Sequence, residues 1–200
     1  MGDSVKTYHI HEGYTPRLDN WAFDDTSFKD EWQLPVYQIA RALLEQHHLK
    51  TVVDLGCGSG YKLVHLFPDV FTIGVELEPT LTWLTGVYPK HRWIPPEGLE
   101  GITADLVICS DVIEHLVDPD IILDQIEKLD PKWIVLSTPA LERLQIGTDG
   151  GPPKNIHHVR EWTSDEFRSY IGERFEIVSQ SHTNEGTQIL VAVLKREKPL

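Results

Sequence analysis

The sequence predicts an α/β fold, a mostly parallel sheet with helices on both faces, closed by a C-terminal hairpin. Three observations carry this. Short apolar runs rich in branched residues recur at residues 51–55, 71–75, 91–94, 104–110 and 132–137, and the first four intervals between them suit crossover connections. Thr163 and Glu166 form a capping pair at the start of a helix over 164–171. Two further strand-like runs, 174–182 and 187–195, flank the turn sequence Asn184-Glu185-Gly186.

Ahead of the first strand, residues 1–29 form a polar arm studded with Tyr8, Tyr14, Trp21, Phe23 and Phe28. A helix follows over 30–46, with Pro35 kinking or restarting it. Residues 1–46 are expected to lie across the ligand cleft as an arm and lid helix; the competing expectation is that the aromatics simply tack the arm to the sheet. Residues 51–195 make the core, and 1–200 reads as a single domain, because 200 residues at 40% apolar content match the about 100–200 residues a domain takes. Trp83, Trp93 and Trp133 are expected to fill the core.

The ligand site is written in two pieces. Val52-Val53-Asp54-Leu55-Gly56-Cys57-Gly58-Ser59-Gly60 is a buried strand breaking into glycines, which let the backbone turn sharply and approach a ligand. A helix over 61–67 should then point its N-terminus at that ligand. The second apolar run delivers Glu76 to the same sheet edge, where a carboxylate accepts hydrogen bonds from both hydroxyls of a ribose. A dinucleotide fingerprint needs a small residue where Tyr61 stands, and no phosphate-gripping G-x-x-x-x-G-K-[ST] loop occurs. Asp54 would repel a pyrophosphate but attract the ammonium group of a methionyl tail.

This pattern resembles the S-adenosylmethionine-dependent methyltransferases of the Rossmann-like class, whose first motif is an acidic residue followed by G-x-G-x-G. The resemblance continues through the fourth strand (104–110), Asp111-Val112-Ile113-Glu114-His115-Leu116, and the fifth strand and its exit (131–139), as in small-molecule O-methyltransferases including those of ubiquinone biosynthesis. It covers residues 51–194 and implies a mostly parallel seven-stranded sheet with an antiparallel strand in the C-terminal hairpin. It also implies that Asp54, Gly56, Cys57, Gly58, Gly60, Glu76, Leu77, Ser110 and Asp111 bind S-adenosyl-L-methionine.

Two regions carry candidate chemistry. Asp111, Glu114 and His115 stand at i, i+3 and i+4, one face of a helix, where they would hold Mg²⁺ or Mn²⁺. The arrangement is similar to the E-x-x-E-H motif of metal-assisted O-methyltransferases, including the small-RNA 3′-terminal 2′-O-methyltransferases, in which a downstream histidine completes the site; here Asp111 replaces the first glutamate. The alternative is that Asp111 caps the helix, Glu114 is solvated and His115 packs. The second region is the long connection 138–162, expected over the substrate, with Asn155-Ile156-His157-His158-Val159-Arg160-Glu161-Trp162 at its end. His157 or His158, with preference for His158, would serve as general base or as the further metal ligand. Arg160 is expected to anchor the loop through Glu161 or a core acid.

Composition bounds the setting. The formal net charge of -13 argues against a nucleic-acid partner, since phosphate backbones are bound through clustered Lys and Arg. No apolar stretch approaches the about 18 residues of a membrane span, and no secretory segment is visible, so a soluble cytoplasmic protein is expected. Cys57 and Cys109 form neither a disulfide framework nor a C-x-x-C site. The expected activity is methyl transfer from S-adenosyl-L-methionine to a hydroxyl of a small molecule. Oxygen is preferred because no N/D-P-P-Y/F motif follows strand four. The alternatives are a metal-assisted RNA 3′-terminal 2′-O-methyltransferase and a non-catalytic scaffold.

Overall fold

A computed structural model describes residues 6–19, 33–144 and 150–195. Trp21, Phe23, Phe28, the start of the first predicted helix and Gly147 lie outside the described residues. The first helix, α1 (Leu34–Gln46), carries Pro35 in its opening turn, where a missing N–H costs nothing, so the proline starts the helix and does not kink it. Its Val36, Tyr37, Ala40 and Leu44 recur at helical spacing and are buried.

The core then alternates as β1 (Thr51–Leu55), α2 (Tyr61–Leu66), β2 (Phe71–Val75), α3 (Thr80–Val87), β3 (Arg92–Ile94), β4 (Leu106–Ser110), α4 (Asp120–Lys128) and β5 (Trp133–Pro139). The strands from β1 to β5 that pair with one another do so in parallel. β1, β4 and β5 are nearly continuous apolar runs, as expected of strands covered on both faces. α5 (Ser164–Arg174) begins with the expected capping box, Thr163 and Glu166 each bonding the other's backbone. β6 (Phe175–His182) and β7 (Thr187–Leu194) form the closing hairpin, and β7 inserts antiparallel between β5 and β6.

The resulting seven-stranded order is β3-β2-β1-β4-β5-β7-β6, the predicted architecture. The chain goes from β1 outward in one direction and then crosses to β4 on the other side, so a crevice opens at the carboxyl ends of β1 and β4. Two apolar clusters lie on the two faces of the sheet, one centred on Leu123, Trp162 and Phe167, the other on Tyr37, Leu63 and Phe67. Trp93 is buried, whereas Trp83 and Trp133 are half-buried against the second cluster. Among the described residues no helix is long and apolar enough to cross a membrane.

Candidate active site

The carboxyl edge of β1 turns through glycines that no other residue could replace without movement. Gly56 has φ +73°, and a Cβ there would lie 2.4 Å from Val112. Gly60 has φ +68°, and its Cβ would fall 2.6 Å from the Trp93 ring. Gly58 donates its N–H to Glu76 Oε2 at 2.9 Å, while Glu76 Oε1 accepts the Leu77 N–H at 2.8 Å. The chain therefore clamps the Glu76 carboxylate at the crevice mouth with two backbone donors. The Leu77 side chain beside it is 59% exposed.

Asp54 is wholly buried. Its Oδ2 accepts the Tyr37 hydroxyl at 2.9 Å, and its Oδ1 has no hydrogen-bond partner among the described residues. Burial raises its pKa to about 7, opposed by the Tyr37 hydrogen bond and the Lys62 charge. The Lys62 ammonium lies 5.2 Å from the Tyr37 ring centroid. Sequence reasoning missed Tyr37 and Lys62. Tyr37 was visible only as one apolar-face residue of α1, and Lys62 as one charge just past the glycines.

At the end of β4, Ser110 Oγ lies 3.0 Å from Ser137 Oγ, which in turn donates to Asp111 Oδ1 at 2.6 Å. Asp111 sits at φ +52° and is followed by a 3-10 turn, Ile113–His115, where the sequence suggested one helical face. That expectation is corrected: the left-handed residue breaks the helix and turns Asp111 toward Ser137 and Gln33.

A second group gathers around Glu114. One donor atom each from Glu114, His115 and His158 lie within 4.8 Å of one another. The structure does not bring Asp111 or His157 into that group. Glu114 is wholly buried, contrary to the expectation of a solvated side chain. Its Oε2 accepts the Thr138 hydroxyl at 3.0 Å, and its Oε1 has no hydrogen-bond partner among the described residues. Burial, and then the neighbouring Asp111, push its carboxyl well above the usual range. His115 Nδ1 donates to the His157 carbonyl at 2.8 Å, and burial lowers its pKa to about 4, so the ring is neutral near pH 7.

His158 is held from both sides. Its Nδ1 lies 2.8 Å from Glu161 Oε1, and its Nε2 lies 2.9 Å from Asn155 Nδ2. The Asn155 amide is oriented by the His157 N–H, which bonds its Oδ1, so Nε2 is the acceptor and Nδ1 carries the proton toward Glu161. The expected anchor of Arg160 on Glu161 or a core acid is corrected: among the described residues its guanidinium bonds neither. Its guanidinium donates to the carbonyls of Leu116 and Val117, both at 2.8 Å, which ties the two sides of the site together.

A buried carboxylate with an orphaned oxygen beside two imidazoles is a donor set that fits a divalent cation, which would offset the cost of burying that charge.

The profile of a methyltransferase domain matches residues 33–184. The chain belongs to this methyltransferase family. Its family and fold are those of the Rossmann-like S-adenosylmethionine-dependent methyltransferases. Its fold matches that of a methyltransferase from Clostridium acetobutylicum, with TM-score 0.64 at 13% identity over 84% of this chain and 93% of the other. It also matches the N-methyltransferase NodS from Bradyrhizobium japonicum in complex with S-adenosyl-L-homocysteine, with TM-score 0.63 at 15% identity over 86% and 95%. In sequence it is 26% identical over 162 residues to the small RNA 2′-O-methyltransferase of Mus musculus, spanning 67% of this methyltransferase. The same match covers 40% of the mouse protein, so the chain spans about two fifths of the length of that relative.

Proposed function

We propose that this methyltransferase is metal-assisted and transfers its methyl group to the 2′-hydroxyl of a terminal ribose of a small RNA. The observation that carries the reading is the grouping of buried Glu114 and His158 with half-buried His115, where Glu114 Oε1 has no hydrogen-bond partner among the described residues. Support for the acceptor comes from the likeness to the mouse small RNA 2′-O-methyltransferase. A ribose at a strand end presents two adjacent hydroxyls, a pair of hard oxygen donors suited to a divalent cation that keeps open positions.

Asp54, Gly56, Cys57, Gly58, Gly60, Glu76, Leu77, Ser110 and Asp111 hold the cofactor in this reading, and Tyr37 and Lys62, which act on Asp54, support it. Asp54 faces the methionyl ammonium, Lys62 compensates the local negative charge, and Glu76 takes the ribose of the cofactor. Glu114, His115 and His158 would hold the cation, His158 through Nε2 once the Asn155 amide that donates to it turns away. S-adenosylmethionine supplies the electrophilic methyl group, and Mg²⁺ or Mn²⁺ supplies Lewis acidity that eases loss of the acceptor proton. The protein's own residues supply position and dryness. Glu161 keeps the proton of His158 on Nδ1, the His157 carbonyl keeps that of His115 on Nδ1, and Thr138 orients Glu114.

A second reading, a small hydroxylated acceptor, is favoured by the formal net charge of -13. The test measures transfer of labelled methyl from S-adenosylmethionine with Mn²⁺ or with chelator. Its acceptors are a short RNA with a free terminal ribose, the same RNA ending in a 2′-deoxynucleotide, and a panel of small hydroxylated compounds. Manganese-dependent labelling of the first alone is expected. Labelling of the deoxy-ended strand, or of small compounds only, overturns the RNA-end assignment, and full activity in chelator overturns the metal.

A further inference from the structure

We infer that the N-terminal arm, residues 6–18, is the positioning element of the His158 segment and acts on the acceptor side of the site while leaving the cofactor side untouched. The inference rests on the reading of His158 given above. The segment 155–162 has no regular secondary structure apart from one isolated bridge at Trp162, so its backbone groups must find partners elsewhere. On one side they meet the Glu114 turn: the Val159 N–H donates to the Glu114 carbonyl at 2.8 Å. On the other side they meet the arm. Arg17 N–H donates to the Val159 carbonyl at 2.7 Å, the Glu161 N–H donates to the Tyr14 hydroxyl oxygen at 2.9 Å, and the Trp162 indole donates to the Tyr8 carbonyl at 2.8 Å. The Arg160 guanidinium lies 4.6 Å from the Tyr8 ring centroid.

Upstream the arm continues the same grip. Thr15 N–H donates to the Gly150 carbonyl at 2.9 Å, and Arg17 Nη2 to the Pro153 carbonyl at 2.7 Å. Gly151, at φ +63°, lets the two chains touch, since a Cβ there would stand 2.3 Å from the Thr15 carbonyl oxygen. The arm is anchored beyond the segment by His11, whose N–H and ring bond Glu166 at the start of α5. Val159, Arg160, Glu161 and Trp162 are thus each held by the arm, and Glu161 is one of the two residues, with Asn155, that orient His158. None of these contacts involves Asp54, Gly58 or Glu76. Tyr14 and Arg160 are positioning residues in this account, acting through Glu161 and the segment.

Tyr14→Phe removes one hydroxyl and keeps the ring, while Gly151→Ala drives the arm off the segment. Both are compared with the intact protein in three measurements: backbone hydrogen exchange over 155–162, the NMR signal of the His158 ring proton shared with Glu161, and separate affinities for S-adenosylhomocysteine and Mn²⁺. Exchange at the Glu161 amide should rise about fivefold in Tyr14→Phe. Over the whole segment it should rise by about tenfold or more in Gly151→Ala. The His158 ring proton should broaden or vanish in both, Mn²⁺ affinity should fall in the same order, and S-adenosylhomocysteine affinity should hold. Unchanged exchange and an unchanged ring proton overturn the inference, as does cofactor affinity falling in step. If the intact protein takes up no Mn²⁺, the metal reading fails by itself, and exchange and the ring proton still decide the role of the arm.

Discussion

Replacing Asp54 with asparagine tests the cofactor side most directly, because the structure puts opposite demands on that carboxyl. In the unfolded chain it ionises near an ordinary 3.8, and in the fold near about 7, because burial outweighs the help of Tyr37 and Lys62. Between those values the folded chain holds the extra proton, so stability of the cofactor-free protein falls as pH rises through that window. The full difference is worth up to about 4 kcal/mol. Asp54→Asn removes that penalty, so its melting temperature should gain on the parent as pH rises, by about 2 to 4 °C per kcal/mol for a chain of this size. Binding should change in the opposite sense. If the ionised carboxylate meets the methionyl ammonium, affinity for S-adenosylhomocysteine in the parent should drop by about eightfold from pH 7.5 to pH 6 as Asp54 protonates. In Asp54→Asn the affinity should be weak and flat over the same window. Calorimetric titration across pH, with thermal melts of the free protein, reads both effects. A parent affinity independent of pH, or an asparagine variant that binds as tightly as the parent, would refute the assigned role of Asp54.

The remaining expectations concern other parts of the site. Glu76→Ala removes a clamped acceptor at the crevice mouth and should weaken S-adenosylhomocysteine by about 10- to 100-fold with little change in melting temperature, measured by calorimetry. Glu114→Gln keeps the shape of the side chain and an acceptor for the Thr138 hydroxyl, so it should change the stability of the metal-free fold little, yet weaken Mn²⁺ by more than about 100-fold, beyond what loss of an outer-shell partner costs. Glu161→Gln should cost about 10-fold in Mn²⁺ affinity, at the lower end for a residue that only orients a ligand. Gly60→Ala, strained at φ +68° and aimed into the Trp93 ring, should lose at least about 2 kcal/mol of stability in denaturant unfolding.

Much of the fold was legible because its determinants are local. The run into Gly56 and Gly58, the Thr163–Glu166 capping box and the Asn184-Glu185-Gly186 turn each act within a few residues, so adjacency in sequence is adjacency in space. Glu76 was legible because a parallel strand pairing sets where its chain ends: Leu55 and Val75 are register partners. The reading of Asp111, Glu114 and His115 as one helical face failed for a reason spacing does not carry. A single left-handed residue, held by Ser137 from the neighbouring strand, breaks the periodicity.

By itself the sequence determined the class of fold, the nucleoside-cofactor crevice and the set of histidines and acids worth testing, because strand-forming runs, glycine turns and caps are short-range consequences of residue type. Only the tertiary structure decided which of those acids are buried and which groups meet. Tyr37 reaches Asp54, Thr138 reaches Glu114, His158 joins Glu114 and His115, and the arm grips the segment beside His158. Each is a contact between distant parts of the chain, and desolvation, which sets the pKa values and the orphaned oxygens, exists only once those parts have closed over one another.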